Sequence, residues 1–231
     1  MDVVVAIGAE PVQPFLSTLL GCTPNRDLYF YVASGHGKSH SLTQHKFNAS
    51  RLSEWLSMHR GRVHVSEVAN TWSGTEASAF ILHIVTHYHD LAAKTVFLHG
   101  HGSSWHSDPV CSLIRRSEVA RPDVGFLNIN RPFPKRCLSP SPVFGPSVSA
   151  AVRDRYYQNW RLWTNSTPPK RITFECCAQF VATRTAIHKR PLDAWTRILR
   201  AIVHDRLGNN WEYLWPTLID EDQATATDVC R

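Results

Sequence analysis

The stretch His99-Gly100-His101-Gly102-Ser103-Ser104-Trp105-His106-Ser107-Asp108 gathers three histidines and a carboxylate within one turn-rich segment. Imidazole nitrogen and carboxylate oxygen are ligand types that zinc and related divalent ions accept. His99 and His101 alternate on an extended chain, so their side chains leave it on the same side. Gly100 and Gly102 beside them permit close approach of a ligand to the backbone. His99, His101 and His106 are therefore the candidate metal ligands, with Asp108 able to complete the set. The bland alternative is a polar turn whose histidines bond the backbone. A second pair, His83 and His87, is spaced four apart as on one side of a helix. No Glu follows His83, as it would in an H-E-x-x-H site, and a packed or exposed helix position is the simpler reading.

Three carboxylates, Glu76, Glu175 and Glu212, stand at the ends of expected elements and are the candidates for general acid–base work. Cys176-Cys177 has no evident histidine partner, and no G-x-S-x-G occurs. The cysteines at 22, 111, 137, 176, 177 and 230 form no C-x-x-C pair, which speaks against a zinc ribbon or thioredoxin-type motif. Their spread is expected to give mostly free, buried thiols in a reducing compartment, with a disulfide between distant positions left open.

These groups need a scaffold. Asp2–Gly8 (DVVVAIG) is a β-branched apolar run that reads as a buried parallel strand. Leu28–Ala33 reads as a second strand, followed by Ser34-Gly35-His36-Gly37-Lys38, a small polar loop that a phosphate can approach. It lacks P-loop and G-x-G-x-x-G spacing. A helix is expected over 49–60, a short strand over 63–68, and a helix from about Thr75 with Ala77, Phe80, Ile81, Ile84, Tyr88 and Leu91 on one face. Lys94–Leu98 is the next strand, so the histidine loop lies at a strand's carboxyl end, where open α/β sheets bind ligands. One short helix is expected within 109–123, a long Pro- and Ser-rich loop over 124–150, and an aromatic helix over 152–163. Arg171–Ala182 reads as one continuing strand. A helix with Leu192, Trp195, Ile198, Leu199, Ile202 and Val203 on one face follows, then a last helix or turn over 210–218 broken by Pro216.

The composition is that of a globular domain, 43% hydrophobic and 19% charged. The expectation is one α/β domain over 1–219, with a mainly parallel central sheet flanked by helices, and a polar tail over 220–231. The net charge of +6 fits a phosphate-bearing ligand or a generally basic surface. No Lys/Arg run interleaved with aromatics points to nucleic acid, and no apolar run is long enough to span a bilayer. The opening MDVVVAIGAE has no basic n-region or long apolar h-region, which favours a cytoplasmic setting and leaves a secretory route open.

Val3-Val4-Val5-Ala6 with Glu10, then Gly74-Thr75-Glu76, Ile84, Tyr88, Leu91, Val96-Phe97-Leu98 and Gly100, form one ordered set of matches. Ala178-Gln179-Phe180-Val181-Ala182 and Glu212-Tyr213-Leu214-Trp215 extend it. In order and spacing they resemble a fungal and algal domain-of-unknown-function family with the blocks V-V-V-A-x-x-N-E, G-R-E, F-L-Q-G-D, A-Q-F-A-V-S and E-R-L-W. That family looks like a compact relative of GT-A-type, Rossmann-like nucleotide-sugar glycosyltransferases. The resemblance implies a cleft at the strands' carboxyl ends, with Glu10, Ser34, Gly35, Lys38, Gly74 and Gln179 near the substrate. It also implies a divalent metal, manganese or zinc, near His99, His101 and His106, and Glu212, Glu76 or Glu175 as acid–base group. The partner would be a nucleotide-sugar or another phosphate-bearing small molecule. This chain departs from the pattern at Thr75, His99, His101 and Tyr213. Histidine in place of the acidic Q-G-D residue favours zinc-like over magnesium-like ions. Two other readings stand beside it: a metal-dependent hydrolase or other histidine-site enzyme using the same loop, and a non-catalytic binding protein that keeps the cleft.

Overall fold

The computed structural model describes residues 1–7, 13–34, 57, 59–69, 75–100, 107–121, 123–130, 136–138, 160, 172–174, 178–205 and 215–219. In chain order the elements are β1 (Asp2–Ile7), α1 (Gln13–Cys22), β2 (Asp27–Ser34), β3 (Val63–Ala69), α2 (Thr75–Thr86), β4 (Lys94–His99) and α3 (Val110–Val119). They continue with β5 (Phe126–Asn128), β6 (Arg136–Leu138), β7 (Ile172–Phe174), β8 (Phe180–Thr183), α4 (Arg184–His188), α5 (Leu192–Asp205) and α6 (Trp215–Ile219).

Six strands form one sheet in the order β3-β2-β1-β4-β8-β5. β1 to β4 pair in parallel, while β8 runs antiparallel to both β4 and β5. The sheet is thus mixed, parallel on the β1–β4 side. The strand alternation assigns each face. Val3, Val5, Ile7, Leu28, Phe30, Val32, Val96, Leu98 and Val181 pack with Leu16 and Leu19 of α1 and Leu113 and Ile114 of α3. Val4, Ala6, Tyr29, Tyr31, Phe97, Phe180 and Ala182 pack with Phe80 and Ile84 of α2, Trp195 and Ile198 of α5, and Trp215 of α6. With both faces covered, β1 needs no polar position, which is why it reads as an unbroken apolar run.

The helices follow from their spacing. α3 buries Val110, Leu113, Ile114 and Ser117, one stripe of an amphipathic helix. α4 is opened by Thr183, whose Oγ1 accepts from the Ala186 N–H at 3.2 Å, a side-chain cap. α5 places Trp195, Ile198 and Ile202 inward, and the indole Nε1 of Trp195 donates to the Ile187 carbonyl at 3.0 Å. Pro216 stands in the first turn of α6. It opens this helix rather than breaking it, because the first helical N–H groups have no internal partner to lose.

Two sequence expectations change. The 124–150 region, read as a loop, contains β5 and β6. The run read as one strand from Arg171 to Ala182 supplies two strands in different sheets: β7 pairs with β6, and β8 joins the main sheet. The expected helices at 49–60 and 152–163 lie outside the described residues except Ser57 and Trp160, both helical, and His59 and Arg60, which are not helical.

Candidate functional site

The strand order locates the site. From β1 the chain winds through β2 to β3, and α2 then carries it back to β4 on the other side of β1. The winding reverses between β1 and β4, and in such sheets the crevice outside the carboxyl ends at that point is where ligands bind. Ala6 of β1 is in register with His99 of β4. The next residue, Gly100, donates its N–H to the Ala6 carbonyl at 2.7 Å. A Cβ at Gly100 would lie 2.8 Å from Ile7 Cγ1 and 3.0 Å from the Ala6 oxygen. Only glycine lets the chain leave β4 this close to β1.

His99 shares a face with Phe97, so it points toward α2. Its ring stacks over Phe80 at 6.5 Å between centroids. Its Nε2 lies 3.9 Å from Oε1 of Glu76, in the first turn of α2. That separation is too long for a hydrogen bond and becomes an ion pair when the imidazole is protonated. A carboxylate is favoured in that first turn by the unpaired N–H groups of the helix start. The pair is partly accessible, His99 at 12% and Glu76 at 21% of their side-chain surfaces.

Behind His99 lies an amide network. Gln179, which precedes β8, accepts the His99 N–H on Oε1 at 3.3 Å. Its Nε2 donates to Ser107 Oγ at 2.9 Å and to Asn130 Oδ1 at 2.8 Å. Asn130 Nδ2 in turn donates to Asn128 Oδ1 at 3.0 Å and to the Gln179 carbonyl at 3.2 Å. Arg116 of α3 donates to the carbonyls of Ile129 and Asn130 at 2.9 and 3.1 Å and pairs with Asp108. The residues entering from α3 and β5 carry no recognisable motif. The only local hint was Asn128-Ile-Asn130, with alternate polar side chains at a strand end.

Of the residues expected at the site, Glu76, His99 and Gln179 meet here. Gln179 is buried and directs its amide into the network. Ser34 ends β2, paired with Ala69. Glu10, Gly35, Lys38, Gly74, His101, His106, Glu175 and Glu212 lie outside the described residues. Asp108, expected as a possible further ligand, is instead engaged by Arg116. Among the described residues no three His, Cys, Asp or Glu side chains form a set that could hold a metal ion.

The helix pair His83 and His87 belongs to packing. His83 is fully buried, and its Nδ1 shares a hydrogen bond of 3.1 Å with the Tyr31 hydroxyl. Burial, reinforced by the neighbouring His87 and His64, pushes its pKa down to about 3. It is a neutral core histidine. The expectation of free thiols is corrected for two cysteines: Cys22 of α1 and Cys111 of α3 form a disulfide with a Cα–Cα distance of 5.6 Å, a separation normal for such a bond. Their positions, 89 residues apart, become neighbours only when α1 and α3 pack on one face.

Fold and site together define an α/β protein with a candidate ligand crevice at the reversal point of a mixed sheet. The chain belongs to the family described as "Protein of unknown function (DUF3431)", whose profile matches residues 53–231. No curated protein and no solved structure matches the chain.

Proposed function

We propose that the protein is a glycosyltransferase-like enzyme acting on a nucleotide-sugar or similar phosphate-bearing donor at the β1/β4 crevice. The observation that carries this reading is the meeting of Glu76 and His99 at the reversal point of the sheet, where Gly100 passes against β1. The order β3-β2-β1-β4 supports it, since doubly wound nucleotide-binding sheets share that order. In glycosyl transfer an acceptor hydroxyl attacks the anomeric carbon, the bond to the leaving diphosphate breaks, and the hydroxyl proton goes to a base. Glu76 is the carboxylate placed to take that proton. His99 beside it can donate a ring N–H to the departing diphosphate. The metal that the resemblance implies would draw on His99, with His101 and His106. Glu76 and His99 alone do not make its ligand set, and no step of the transfer is assigned to it.

The test is a thermal-shift panel of nucleoside diphosphates and their sugar conjugates, each with and without manganese and zinc. At least one sugar conjugate is expected to raise the Tm of the wild-type chain. Glu76→Gln should keep that shift and lose transfer to an acceptor, whereas His99→Ala should weaken the shift. If every compound leaves the Tm unmoved under all metal conditions, the transferase reading falls and a non-catalytic binding protein takes its place. Release of free sugar at the same rate with and without acceptor would point to a hydrolase instead.

A further inference from the structure

We propose that the Cys22–Cys111 bond is a reducible tether that keeps α3 in register with the amide network behind His99. Three observations converge on it. Cys111 is the second residue of α3, and Pro109, at the cap position, supplies no side-chain cap to that helix. At its start α3 thus has the covalent bond to α1 in place of a side-chain cap, beside the Ser112 and Leu113 N–H bonds to the Pro109 carbonyl and the burial of Val110. Second, α3 is joined to the network at two places. Ser107 just before it accepts from Gln179, and Arg116 within it grips Asp108 and the carbonyls of Ile129 and Asn130. Displacing α3 thus displaces the partners of Gln179, whose Oε1 fixes the His99 N–H. Third, both cysteines are partly exposed, so an external thiol can reach the bond.

The chemistry is thiol–disulfide exchange with a dithiol. One thiolate of the dithiol attacks a sulfur of the pair and forms a mixed disulfide, releasing the other cysteine. The second thiol of the dithiol then displaces the remaining cysteine. Cys22 and Cys111 gain two electrons and two protons, and the dithiol is oxidised to its own disulfide. Bonds of this kind persist in oxidising compartments and are opened in reducing ones, so the state of the tether reports where the chain resides. This inference stands apart from the transferase reading, because it concerns the support of β4 whatever the ligand.

Hydrogen exchange on the full chain, with and without dithiothreitol, tests it, with alkylation and mass spectrometry to count thiols. Before reduction, Cys22 and Cys111 should resist alkylation under native conditions; after it, both should be labelled. Amides of 107–119 should then exchange at least about tenfold faster, with those of β1 and β2 changed much less. Cys22→Ser with Cys111→Ser should match the reduced wild type and ignore dithiothreitol; if that variant does not fold, reduction of the wild type decides alone. Alkylation of either cysteine before reduction overturns the proposal. So does unchanged exchange at 107–119, or an equal loss of protection across the sheet, which would make the bond a staple of the whole fold and not of α3.

Discussion

His83 shows how little of a residue's role lies in its type. Its helical spacing with His87 suggests a ligand pair, yet burial against Tyr31 and Phe97 makes it a neutral hydrogen-bonding core residue. The consequence is a pH dependence of folding. The folded-state pKa, about 3, lies below the ordinary value of 6.5, so between these values the unfolded chain binds a proton that the folded chain refuses. Stability from this residue is complete above pH 6.5 and falls as pH drops toward 3, by up to ~1.4 kcal/mol per pH unit. The groups around it that also titrate are His87, His64 and, beside His87, Asp90. Urea unfolding at pH 7, 6 and 5 should show the slope, and His83→Phe should flatten it even where it lowers stability overall. An unchanged slope in that variant would mean that other groups carry the acid sensitivity. Gly100 makes a second case. Gly100→Ala must push Ile7 or the Ala6 carbonyl aside and should cost about 1–3 kcal/mol, read as a lower urea midpoint with unchanged m-value.

At the scale of elements, Gln179 is the joint between β4, β5, β8 and the approach to α3. Gln179→Leu keeps the volume but leaves the His99 N–H, Ser107 and Asn130 Oδ1 without their Gln179 side-chain bonds. A loss of about 1–3 kcal/mol follows from stranding buried polar groups. Gln179→Glu keeps the acceptor toward His99 N–H and sets a carboxylate against Asn130 Oδ1. It should therefore be destabilising as well, and less so once acid protonates it. Chemical denaturation of both variants checks this; a Leu variant as stable as wild type would show that the network contributes nothing net. This joint was half legible in sequence. The Ala178-Gln179-Phe180 block marked its position, but its partners at 107 and 130 come from segments whose own sequences carry no periodic signal.

For the whole molecule, the sheet separates two apolar layers, one under α1 and α3, the other under α2, α5 and α6. Ile114 and Ile198 are buried in opposite layers. Ile114→Val and Ile198→Val should each cost ~0.5–1.5 kcal/mol. With the sheet between them they share no partner, and the double variant should equal the sum within ~0.5 kcal/mol. A larger coupling energy in denaturant unfolding would mean that the layers communicate through the sheet.

The amino-acid pattern alone determined β1, β2 and β4, the inward face of α5, the Ala77, Phe80, Ile81 and Ile84 face of α2 (Tyr88 and Leu91, expected on the same helix, follow its end at Thr86), and the place of His99 at a strand's carboxyl end. These follow from burial repeating every two or every 3.6 residues, a rule that acts within one element. Tertiary structure decided the rest. The insertion of β8, antiparallel, between β4 and β5, the bond from Gln179 to His99 across 80 residues, the Cys22–Cys111 tether and the burial of His83 all depend on which elements become neighbours. Strand order and cross-chain pairing are set by packing the whole core at once, and no local spacing encodes them.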